Sequence, residues 1–121
     1  MSLLLVTAVV EVAAGAGLLL APAVVFDLLL GVSHPAPEAG FVGRVAGAAL
    51  LAIGTASWLA RKETGSPAGR GLLTAVLIYD AAAAALLAYA GSGLGMVGVA
   101  LWPAVVLHTA LGGWCAACLW W

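Results

Sequence analysis

Charge is what this sequence has least of. Its 121 residues include four Lys or Arg and five Asp or Glu, 7% in all, where an ordinary soluble domain carries about 25%. So small a basic complement, with a net charge of −1, excludes a surface that neutralises nucleic-acid phosphates. Cysteine is scarce too. Cys115 and Cys118 both lie in the last apolar stretch, which excludes the disulfide framework of a small secreted domain. Long polar stretches are missing apart from RKETGSPAGR at residues 61–70, so a second domain has no sequence to occupy. Neither a basic leader nor a small-residue cleavage pattern precedes Glu11, and a retained first span is expected rather than a removed signal peptide.

What is present is apolar: 65% of residues are hydrophobic and the mean hydropathy is +1.21. A bilayer core of about 30 Å needs roughly 20 apolar residues per helix, and four such stretches fit, at residues 3–26, 39–60, 71–90 and 94–121. The expected fold is all-α, a four-transmembrane-helix bundle running up-down-up-down as one integral membrane domain over residues 1–121. Open sheets are excluded because lipid cannot satisfy an unpaired strand edge. Pro22 should bend the first span near its far end, and GVSHPAPE at 31–38 and Gly91-Ser92-Gly93 should form turns.

Arg61, Lys62 and Arg70 fall in the 61–70 loop, which the positive-inside rule places in the cytoplasm with both termini, for a multipass inner-membrane protein. Trp58, Trp114, Trp120 and Trp121 near one end and Trp102 nearer the other read as interface anchors. Gly43 and Gly47 form a GxxxG and residues 81–85 are all alanine, small side chains that let helices approach closely.

Four ionisable side chains fall inside the spans, one per helix: Glu11, Arg44, Asp80 and His108. A charge at the bilayer centre costs at least about 2.5 to 3.5 kcal/mol, so such residues usually face the bundle interior and pair. Counting along the helices, they can converge on one polar pocket, with Thr7, Thr55, Trp58 and Tyr79 around it. Two readings stay open. In one, Arg44 neutralises Asp80 or Asp27 while Glu11 and His108 share a hydrogen bond, all as glue between helices. In the other, a desolvated carboxyl, Glu11 or Asp80, takes up and releases a proton, with His108 as relay. No cofactor is expected and no metal, because His108 with Cys115 supplies only two ligands. WCAAC at 114–118 has redox spacing without the strand-to-helix context or the second cysteine pair of the vitamin K epoxide reductase class.

The stretch VGRVAGAALLAIGTASWLAR at 42–61, with the later WPAVVLHTALGG, resembles small bacterial four-helix proteins of the DoxX-like type. That resemblance implies an accessory membrane subunit and no particular chemistry. Small multidrug resistance transporters are similar in length and carry a first-helix carboxylate, which Glu11 in VVEVAAGAGL matches. Their tyrosine-tryptophan-glycine stretch in the third helix is replaced here by Asp80 among alanines. The functions that follow, in order, are a non-enzymatic accessory or binding subunit, a proton-coupled transporter, and a membrane-embedded isomerase or cyclase. Expected partners are the lipid bilayer, further copies or other membrane subunits, and a small apolar ligand.

Overall fold

A computed structural model describes residues 2–121 as five helices. They are α1 (Leu3–Leu20), α2 (Pro22–Leu30), α3 (Pro37–Leu59), α4 (Pro67–Ser92) and α5 (Leu101–Trp120). Four of them, α1, α3, α4 and α5, are long and apolar enough to cross a membrane, with 18, 23, 26 and 20 residues. The described residues form no strand.

Proline sets most of the helix starts. Pro22, Pro37 and Pro67 each stand at the first turn, where a missing N–H costs nothing and the fixed φ suits the helix. Ser66 adds an N-cap to α4, its hydroxyl accepting from the Gly69 N–H at 3.0 Å. The first span therefore ends sooner than expected: Pro22 pushes Ala21 out of the helical region, to φ −143° and ψ 64°, and the chain restarts as the separate helix α2 rather than bending within one. The last span also starts later than expected. Residues 94–100 are irregular, with Gly95 at φ 68°, and they pack on the end of α2, where the Ala100 N–H bonds the Leu28 carbonyl at 2.8 Å.

The helices pair as two antiparallel hairpins. In α1 and α3, Gly15 faces Gly47 and Gly54 faces Ala8 and Val12. In α4 and α5, Gly91 faces Leu101 and Trp102 while the Arg70 guanidinium donates to the Leu119 carbonyl at 3.0 Å. The GxxxG is used within the chain: Gly47 receives α1 and Gly43 receives Phe26 of α2. The alanine run of α4 is largely at the surface.

The hydrophobic core joins the hairpins at one end, through Leu3 and Leu4 of α1, Leu73 and Val76 of α4, and Leu111 and Cys115 of α5. Elsewhere large apolar side chains point outward along every span, among them Val9, Val45, Ile78, Leu86 and Val106. So much apolar surface is unfavourable against water and costs nothing against lipid.

Candidate functional site

Glu11, Asp80 and His108 come from three helices and meet between the two hairpins. One ligand atom from each lies within 4.8 Å of the others. Glu11 is 1% exposed and Asp80 0%, and the His108 side chain is 11% exposed. Glu11 belongs to the buried stripe of α1 made by Leu4, Thr7, Ala8, Glu11 and Gly15, the spacing of one helix face. Asp80 continues the buried stripe of Leu73 and Val76 on α4. His108 reaches it across the α4–α5 contact, where Gly112, one turn further along α5, lies beside the acid: a Cβ added there would meet the Asp80 Cβ at 3.4 Å, an ordinary contact.

One hydrogen bond organises the cluster. The His108 Nδ1 and Asp80 Oδ1 share a hydrogen bond at 2.8 Å. Tyr79 stands edge-on to the imidazole, ring centroids 5.5 Å apart, and holds it in place. The other polar atoms are left over. Both oxygens of Glu11, Asp80 Oδ2, and the hydroxyls of Thr7 and Ser57 are buried without a hydrogen-bond partner among the described residues. Such atoms are rare in native interiors, and each costs about 1–3 kcal/mol.

The hydroxyls of the helices divide the same way. Thr55, Thr74, Ser92 and Thr109, all exposed, donate to the carbonyl four residues back, at 2.6 to 2.9 Å, the usual resort of a hydroxyl in a helix. The buried Thr7 and Ser57 do not. Thr7 is one turn from Glu11 on the same face, and the antiparallel register of α1 and α3 carries Ser57 to the level of Thr7.

Not every expected residue joins this site. Arg44 is exposed, and its guanidinium donates to the Leu19 carbonyl at 2.6 Å. That carbonyl lies in the last turn of α1, where intrahelical partners run out, about 12 Å along the helix from Glu11 at 1.5 Å per residue. Asp27 instead accepts from the Ser33 hydroxyl at 2.9 Å, so Arg44 pairs with neither acid named for it. Thr55 and Trp58 line a groove of about 410 Å³ on the outer surface of α1 and α3, with Ala8, Val12 and Gly54. Trp58 also stacks under the Arg61 guanidinium at 4.2 Å.

Thr7 and Tyr79 do flank the cluster. Cys115 packs into the hydrophobic core, and both cysteines are free thiols. Ser57 is the residue that sequence reasoning missed. Its signal was a hydroxyl in the α3 register that places Gly54, three residues before it, against α1.

Together these features fit a small multipass membrane protein with a buried acid–histidine cluster between its hairpins. Comparison with protein-family models, with characterised proteins and with solved structures finds no match to the chain.

Proposed function

We propose that the protein is a non-enzymatic binding subunit of the inner membrane that holds a small cation at Glu11, Asp80 and His108. In this reading its spans run up-down-up-down, with both termini and the 61–70 loop in the cytoplasm. The observation that carries it is the set of unpartnered buried acceptors on Glu11 and Asp80. Side chains that serve as helix glue use up their hydrogen-bonding capacity on each other, and here one bond is made where several were available. The charge balance points the same way. Arg44 caps α1, Arg61 lies on Trp58, Arg70 caps α5 and Lys62 sits in the loop, so no Lys or Arg offsets the two carboxyl groups.

The test is Glu11→Met, which keeps the volume and removes the unpartnered oxygens. A binding site held against stability predicts that the variant is more stable in detergent, by about 1–3 kcal/mol, read as a rise in thermal midpoint. A fall of similar size would mean that Glu11 holds the helices together, and the binding reading would be lost.

Proton-coupled transport is the second reading, favoured by packing that is dense within each hairpin and much sparser between the two. Sparse contact leaves two rigid halves free to rock about a fixed site. Proteoliposomes showing no substrate-driven proton movement over a broad cation panel would remove it.

A further inference from the structure

We propose that the cation is a divalent first-row transition metal, of the zinc or manganese type, bound by one oxygen of Glu11, Asp80 Oδ1 and the Nδ1 of His108. This rests on the binding reading above and names its ligand. Three arguments converge on it.

The first is charge. With both carboxyls deprotonated as ligands and a neutral imidazole the ligand set carries −2, and a divalent ion brings it to zero in a region where uncompensated charge is most costly. A monovalent ion leaves one charge uncovered.

The second is distance. Bonds of about 2.0–2.2 Å in a tetrahedral site put neighbouring ligand atoms about 3.3–3.6 Å apart. Asp80 Oδ1 and His108 Nδ1 are already 2.8 Å apart and need only part slightly. The three ligand atoms lie within 4.8 Å of one another, so Glu11 closes the remainder by rotating its side chain, an inward movement of at most about 1.5 Å against the ideal edge. The ion takes the place of the shared proton, and His108 then carries its hydrogen on Nε2.

The third is the ligand set itself. Imidazole suits zinc, iron and nickel, carboxylates suit manganese and magnesium, and one of the former with two of the latter selects ions that accept both. That Glu11 is buried with both oxygens unpartnered separates this cluster from an ordinary group of acids. The unpartnered hydroxyls of Thr7 and Ser57 lie about one helical turn along from Glu11. The three ligands come one each from α1, α4 and α5, so the ion would tie the two hairpins together beside the apolar core that joins them.

The experiment is a Co²⁺ titration of the tag-free, metal-stripped protein in detergent, followed by visible absorption and by metal analysis after desalting, with Zn²⁺ and Mn²⁺ as competitors. One Co²⁺ per chain is expected, with the bands of four- or five-coordinate cobalt and no thiolate charge-transfer band. Glu11→Gln and Asp80→Asn, confirmed as folded by helical circular dichroism and a monodisperse elution, should each lose about 100-fold in affinity, at or beyond what outer-shell changes cost a metal site. The double variant Cys115→Ala, Cys118→Ala should bind as the native chain does. The proposal is overturned if the native protein binds none of the three ions, if binding survives both acid variants, or if it disappears with the cysteines. Failure to bind any of them alongside a stabilising Glu11→Met would retire the metal and leave cation binding standing. A destabilising Glu11→Met would remove the reading beneath it.

Discussion

The two hairpins are built on different principles. Between α1 and α3 the backbones touch: a Cβ on Gly15 would meet the Gly47 carbonyl at 2.7 Å, and one on Gly47 would meet the Gly15 carbonyl at 2.7 Å. Between α4 and α5 side chains fill the gap. Gly91 faces the far ends of Leu101 and Trp102, Gly112 has room in front of it, and the pair is joined by a hydrogen bond between Asp80 and His108. The glycine hairpin is closely packed and presents a single acid, Glu11, to its neighbour. The other hairpin holds the remaining two members of the cluster, Asp80 and His108. In lipid, where apolar side chains gain nothing by leaving the solvent, close backbone contact and polar pairing are the two means of joining helices, and this chain uses one in each half.

The sharpest way to break that comparison is to remove the polar pairing from the second hairpin. His108→Leu leaves Asp80 buried with no partner, and losing one member of a buried pair costs about 3–5 kcal/mol. We expect a large fall in thermal midpoint in detergent, and adding Asp80→Asn to it should recover part of the loss. If His108→Leu is neutral, the pair does not hold α4 to α5. The corresponding change in the first hairpin is Gly47→Ala. The new methyl meets the Gly15 carbonyl and the Leu19 amide, both at 2.7 Å, and neither is a flexible side chain that can turn aside. Overpacking of this kind costs about 1–3 kcal/mol, more than the helix propensity that alanine adds. A Gly47→Ala protein as stable as the native one would show that the α1–α3 contact is looser than described.

Much of this was legible in the sequence. The four spans follow from long apolar runs in a chain with almost no charge, and Glu11, Asp80 and His108 stood out because ionisable groups are costly at membrane depth. Arg44 obeys the same rule by a different route. Its long side chain reaches a free carbonyl at the end of α1, a partner created by the break at Pro22 and invisible to a search for opposite charges. Helix ends were misjudged where apolar composition continued past the helix itself, as at 94–100, which is hydrophobic yet irregular because it packs on α2. Proline was the better marker, since Pro37 and Pro67 start α3 and α4 where the hydropathy alone placed them two and four residues later. Ser57 was illegible because its importance depends on the register between two helices. A glycine pattern shows that helices approach, and says nothing of which residues then lie level.

The smallest effect sharpens the comparison best, because it asks the same substitution of the other hairpin. Gly112 lies in α5 with the Asp80 Cβ at 3.4 Å and Leu77 Cδ1 at 3.9 Å as the nearest atoms to an added methyl, ordinary contact distances. Gly112→Ala therefore meets no backbone, fills space beside the acid, and removes the excess freedom of a glycine within a helix, worth roughly 0.5–1 kcal/mol. We expect a thermal midpoint equal to or slightly above that of the native protein, opposite in sign to Gly47→Ala. If Gly112→Ala destabilises as much as its counterpart, both hairpins rest on close glycine contact and the division of labour between them is lost. If it is stabilising and Co²⁺ binding is kept, the space beside Asp80 is tolerated packing, and the carboxylate keeps its position without a glycine at 112.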